Sequence, residues 1–203
     1  MDQRERILRT TYDLLAQFGI TSVTMDLIAK ECGISKRTLY ELFSDKNTLI
    51  IDAVNLIYED RNKKFYEIIE TSPNEMISML RIYTTARDFI SGVCQSFFID
   101  MERLYPKVAK NYKELENTHI ARFVKIIDKG KEEGVFCEGV NSDIVATLYI
   151  LQFQNIKKSQ ELFLSRYSSV EIFDNIFLNF VRGMSTQRGL EIMADFFNDK
   201  NKK

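Results

Sequence analysis

Only two prolines and eight glycines interrupt the 203 residues, so little in the chain breaks long helices. No stretch alternates apolar and polar residues long enough for a sheet. The longest apolar run falls far short of the roughly 18 residues that cross a bilayer. The N-terminus, MDQRERILR, is charged and mixed in sign, unlike a signal peptide. A soluble, cytoplasmic protein without a membrane partner is expected. The three cysteines, Cys32, Cys94 and Cys137, are odd in number and far apart. They suit neither a disulfide framework nor a zinc site, and are expected to be small buried side chains. The single histidine, His119, forms E-x-x-H with Glu116. A di-iron site needs a second such pair, so neither metal nor cofactor is expected. The chain has no glycine-rich phosphate loop, no G-x-S-x-G and no H-E-x-x-H. No catalytic residues are assigned, and an enzyme is not expected.

What the chain does have is apolar residues recurring at three and four. The expected class is all-α, with nine or ten helices. In the first helix they are Ile7, Leu14, Leu15 and Phe18, closed by Gly19. A fourth helix begins near Asp45 and turns charged from Glu59 to Lys64, which suits a connector. Ser72-Pro73-Asn74-Glu75 reads as a capping box opening a helix to about Gly92. Further helices are expected at Gln95–Tyr105, from Pro106 to about Gly134, and from Asn141–Asp143 to about Arg166. Ser168-Ser169-Val170-Glu171 is a second capping box, for a helix to about Thr186. A last helix should span about Leu190–Phe197, before a frayed tail.

The densest punctuation lies between Thr24 and Leu49. Thr24 caps one helix, Gly33 supplies the left-handed residue that ends it, and Ser35 caps a second short helix. Ile28, Ala29, Ile34, Leu39 and Phe43 are apolar where helices must meet. Lys36, Arg37, Thr38 and Tyr40 occupy the exposed face, and such side chains reach phosphates and base edges. This is the pattern of a DNA-binding helix-turn-helix.

The segment resembles the DNA-binding motif of the TetR family of bacterial transcriptional regulators. The resemblance rests on Thr24, Ile28, Ala29, Cys32, Gly33, Ile34, Ser35, Thr38, Leu39, Tyr40, Phe43, Lys46 and Leu49. Cys32 and Ile34 stand where the family usually has Ala and Val, and both keep a small or apolar side chain. The motif covers the first quarter of the chain. It implies a helix-turn-helix domain at 1–50 and a helical effector-binding and dimerisation domain at 51–203. It also implies a homodimer on a near-palindromic double-stranded operator, usually a repressor, released by a small-molecule effector. An activator, or a ligand-independent factor whose larger domain meets another protein, stays open. The expected DNA contacts are Thr24, Ser35, Lys36, Arg37, Thr38, Tyr40 and Lys46. Arg37 is the best base reader, because guanidinium pairs bidentately with guanine. Helix 45–70 is the expected lever between the domains.

Net charge is the one bulk property that argues the other way. The chain totals −1, and in residues 1–50 seven bases face seven acids. Non-specific affinity is mostly phosphate neutralisation, so a neutral head should hold random DNA weakly.

In the larger part, Ile172, Phe173, Ile176, Phe177, Phe180, Val181 and Met184 make a stripe too wide for one neighbouring helix. With Ile144, Val145, Leu148, Leu151 and Phe153 they are expected to build a four-helix dimer interface. The resemblance agrees, since TetR-family members dimerise through their last two long helices. Phe89, Phe97, Phe98, Met101, Tyr105, Phe123, Tyr149 and Phe153 are the expected lining of a largely apolar effector pocket. Glu102 and Arg122 are candidate polar anchors there, with surface charge as the plainer role.

Overall fold

The structure, a computed structural model, describes residues 2–158 and 166–200. The side chains of 107, 109–117, 153–158 and 200 lie outside that description, and with them Glu116 and the predicted pocket residue Phe153. Among the described residues there are ten helices. These are α1 (Gln3–Phe18), α2 (Met25–Glu31), α3 (Lys36–Leu42), α4 (Lys46–Thr71), α5 (Glu75–Ser91), α6 (Gln95–Leu104), α7 (Pro106–Glu132), α8 (Ser142–Lys158), α9 (Ser169–Met184) and α10 (Gln187–Lys200). The chain is all-α, as the periodicity predicts. One isolated bridge pairs Phe136 with Ser185.

Two starts differ from expectation. The box at Ser72–Glu75 does not form. Ser72 donates its hydroxyl to the Ile68 carbonyl and closes α4, while Asn74 Oδ1 accepts the Ile77 N–H and caps α5. Glu75, the expected reciprocal partner, is buried and bonds Lys129 Nζ at 2.6 Å instead. The last helix begins earlier than Leu190, because Thr186 Oγ1 accepts the Gly189 N–H. It also runs on through Asn198 and Asp199, so this stretch is helix rather than frayed tail. The box at Ser168 and Glu171 forms in both directions.

The chain groups into two compact units. The first is Met1–Phe65 with Gly92–Asn111, and the second is Tyr66–Ser91 with Tyr112–Lys203. The first unit therefore reaches past residue 50 and includes α6. Around α1–α4 its core is mainly aliphatic: Ile7, Leu15, Ile28, Leu39, Leu49 and Ile50 are wholly buried. Asp100 on α6 is buried and clasps the turn after α1. Its Oδ2 accepts the Thr21 amide and hydroxyl, both at 2.8 Å, and its Oδ1 accepts Arg103 at 3.0 Å. Burial alone would raise this carboxyl, but those donors outweigh it and hold it below the usual carboxylate range. Gly19 must be glycine here: its φ is +79° and a Cβ would lie 2.5 Å from Ser96 Oγ.

The second unit has an aromatic core. Tyr83 on α5 stacks on Phe177 at 4.8 Å and on Phe173 at 5.6 Å. Its hydroxyl donates to Asp174 at 2.7 Å, where Arg87 Nε also bonds. Burial first, then the Asp174 carboxylate, pushes the Tyr83 hydroxyl up to about 12. Tyr149 on α8 meets Phe123, Phe177 and Phe180, all within 5.7 Å.

The wide stripe on α9 has an explanation inside the chain. α9 packs on both α5 and α8. Ile172, Phe173, Phe177, Val181 and Met184 are buried there, and Ile176 and Phe180 are half-buried. α5 and α8 of the same chain thus cover the buried part of that stripe. Ile144, Leu148 and Leu151 on α8 are instead exposed, at 55%, 48% and 42%.

The eight aromatic and Met residues expected in one pocket are also divided. Phe97, Phe98, Met101 and Tyr105 belong to the first unit. Phe97 packs its edge on Tyr12 at 5.8 Å and against Phe98 at 5.6 Å. Tyr105 donates its hydroxyl to Asn47 Oδ1 at 2.6 Å, which ties α6 to the start of α4. Phe97, Met101 and Tyr105 are buried in the first unit, where α6 packs on α1, and Phe98 is half-buried. Phe89 is half-buried in the second unit, and among the described residues of the predicted set Phe123 and Tyr149 line an apolar cavity there. Glu102 is exposed, and Arg122 donates to the Tyr66 hydroxyl at 2.7 Å over that ring.

Candidate nucleic-acid interface

Each turn of the motif is closed by the residue that the spacing marks. Thr24 Oγ1 accepts the Leu27 N–H at 3.2 Å, and Ser35 Oγ accepts the Thr38 N–H at 3.0 Å. Both satisfy orphan donors at a helix start. Gly33 has φ +64°, the conformation in which a side chain would strain, and its N–H bonds the Lys30 carbonyl. Asp45 caps α4 by accepting the Thr48 N–H at 2.8 Å. That bond first, with burial opposing it and the Ser44 and Thr48 hydroxyls assisting, holds the Asp45 carboxyl below its usual range.

These caps fix which face of α3 looks inward. Leu39 is wholly buried, with Ile28, Ala29, Phe43 and Leu49 beside it in the core, while Ile34 is half-buried. The opposite face carries Lys36, Arg37 and Tyr40, all exposed; Thr38 is half-buried against the Ser35 hydroxyl at 2.8 Å. A basic and hydroxyl-bearing face of this kind can meet phosphates and base edges.

The cations of this face are not bare. Lys36 Nζ pairs with Asp26 Oδ2 at 2.9 Å, across from α2. That bond raises the Lys36 ammonium above its usual value. Arg37 Nε pairs with Glu41 Oε1 at 2.9 Å, four residues on. Lys46, the third expected cation, donates to the Ile20 carbonyl at 3.0 Å and is half-buried. Burial lowers its ammonium, with Asp100 pulling the other way. Thus Lys46 helps to hold the turn between α1 and α2 to the start of α4. The sequence reading missed these partners. The Arg37–Glu41 spacing was legible as an i,i+4 pair, but Asp26 and Ile20 reach their partners only through the tertiary fold.

Two further ion pairs steady the head. Arg4 meets Asp52 and Arg9 meets Asp60 at 2.6 Å, so α1 is tied along α4. Among the described residues no group of three His, Cys, Asp or Glu side chains is placed to hold a metal. No helix among them is long and apolar enough to cross a membrane. All three cysteines are free; Cys32 is buried, and Cys94 and Cys137 are half-buried.

Known proteins share this arrangement. Residues 7–53 match the model of the bacterial regulatory proteins of the tetR family. The HTH-type transcriptional regulator YerO of Bacillus subtilis (strain 168) is 40% identical over 52 residues, 26% of this chain and 18% of YerO. The chain thus spans under a fifth of that relative's length in the match. The HTH-type regulator YdeS of the same strain is 26% identical over 145 residues, 68% of this chain and 69% of YdeS. A TetR-family transcriptional regulator of Agrobacterium tumefaciens has the same fold, with TM-score 0.70 and 13% identity. The match covers 91% of this chain and 98% of that one. Residues 7–53 thus carry the helix-turn-helix of the bacterial regulatory proteins of the tetR family, and the chain shares the fold of a solved member of that family.

Proposed function

We propose that the protein is a sequence-specific DNA-binding transcriptional regulator, a homodimeric repressor that a small molecule releases from its operator. The observation that carries this reading is the capped pair α2 and α3. It buries Leu39 completely and leaves Lys36, Arg37 and Tyr40 on one exposed face. In this reading residues 1–50 bind DNA, and residues 51–203 bind the effector and form the dimer. Two copies of α3 enter successive major grooves about 34–36 Å apart. Thr24, Ser35, Thr38 and Tyr40 meet the backbone, and Arg37 reads a base. Lys46 acts by holding the turn before α2.

The dimer face in this reading is the exposed stripe Ile144, Leu148 and Leu151, at i, i+4 and i+7 of α8. Ile176 and Phe180 on α9 are half-buried, and its other apolar positions are core. Leu148→Glu places a charge in that stripe, and sedimentation should then show a monomer with weakened operator binding. An unchanged dimer would place the interface elsewhere.

The effector in this reading is largely apolar. A cavity in the second unit is lined by Met79, Phe123, Ile127, Tyr149, Phe177 and Phe180 among others. Its volume is about 10 Å3, room for a single water. In this reading an effector enters by parting these helices and binds one of two states better, as induction requires. Footprinting on a preferred duplex tests the whole reading. Two protected half-sites one turn apart, lost on adding an effector, support it; a single asymmetric site overturns it.

A further inference from the structure

The recognition helix carries two cations, and each is held by a carboxylate of the same head. Lys36 Nζ lies 2.9 Å from Asp26, and Arg37 Nε lies 2.9 Å from Glu41. All four side chains are well exposed, Arg37 most of all at 89%. Neither pair is needed to fold the head, whose core is mainly aliphatic and complete without them. Exposed pairs contribute little to stability. Their position matters more than their strength, because they sit on the surface proposed to meet DNA.

We propose that Asp26 and Glu41 are specificity-determining residues of the DNA surface. Random DNA offers phosphate, and a phosphate must displace a carboxylate already in place before it gains Lys36 or Arg37. The acids also repel the backbone directly. Non-specific affinity comes almost wholly from phosphate neutralisation, so it loses most. An operator adds base contacts, which the acids leave intact. Glu41 does more for Arg37. Its bond uses Nε and leaves Nη1 and Nη2, the pair that reads a guanine bidentately. Glu41 is thus a positioning residue, turning Arg37 from a phosphate contact toward a base.

This inference rests on the DNA-binding reading, and one experiment separates the two. Wild-type protein, Asp26→Asn, Glu41→Gln and the control Glu31→Gln are titrated with a selected duplex and a random duplex. Glu31 is exposed on α2, away from the cations of α3 in sequence. Asp26→Asn and Glu41→Gln should each bind random DNA about two- to fivefold tighter, the range that exposed pairs span. Operator affinity should change less, so the operator-to-random ratio falls. The gain should shrink at high salt, where the pairs are already screened. In an Arg37→Ala background, Glu41→Gln should have no effect on the guanine preference. An equal gain with Glu31→Gln would show bulk charge alone and overturn the proposal. An unchanged ratio in both variants would also overturn it. Failure of every protein to bind any duplex would instead overturn the DNA-binding reading itself.

Discussion

The two units of this chain solve the packing problem with different materials. Of the twelve largest fully buried side chains, eight lie between Ile7 and Ile50, and seven of those are Ile or Leu. The second unit buries Tyr83, Phe123, Tyr149, Phe173 and Phe177 against one another. Branched aliphatic side chains with few rotamers pack short helices in one arrangement. That suits a head that must present α3 at a fixed angle. Aromatic rings instead pack in preferred offset and edge geometries, as Tyr83 does on Phe173 and Phe177. The difference teaches that one chain can hold its two units with different core chemistry, interlocked aliphatic side chains in one and oriented ring contacts in the other.

The largest effects should come from the two cores themselves. Leu39→Ala should cost the head about 2–5 kcal/mol, and Phe177→Ala should cost the second unit about 3–5 kcal/mol. If the units are separable, Leu39→Ala abolishes DNA binding while the oligomeric state persists, and Phe177→Ala does the reverse. Denaturation followed by both readouts checks this. Loss of both properties in both variants would erase the distinction.

The Asp100 clasp sharpens the comparison on the side of the head. Asp100→Ala removes an acceptor of three bonds and should destabilise the head by about 1.5–3 kcal/mol. The carboxyl is held below its ordinary 3.8. A depressed acid stabilises fully above its unfolded value and loses that contribution as pH falls through the folded one. Acid titration of head unfolding should therefore steepen below about pH 4 in the wild type. Asp100→Asn should flatten it, and an identical profile would remove the clasp from the account.

Arg37→Ala should cost about 1–3 kcal/mol of operator affinity and relax preference at one base pair. An equal loss on every duplex would make Arg37 a phosphate contact. Smallest should be the caps. Ser35→Ala in the head and Ser168→Ala in the second unit should each cost about 1 kcal/mol. Only Ser35→Ala should also weaken DNA binding, since it loosens the start of α3.

How much of this was legible in the chain follows from the range of the forces. Thr24, Gly33, Ser35 and Ser168 act within a few residues, and each stands where the spacing placed it. Ser72 misled because two local partners competed for it. The Ile68 carbonyl behind it won, and Asn74 took the cap. Long-range choices were not legible. An amphipathic α6 looks the same whether Phe97 faces a pocket or Tyr12, and only the fold places it beside α1. The stripe on α9 likewise reports its width but not whose helices cover it. In the candidate interface the basic residues were readable, whereas Asp26 reaching Lys36 depends on how α2 crosses α3.

The central claim is that α3 reads sequence in duplicate, and selection of preferred duplexes from a random library at physiological salt tests it most directly. The account predicts a two-fold symmetric consensus with half-sites about one helical turn apart, bound by a dimer. Enrichment of no sequence, with binding that merely fades as salt rises, would contradict it.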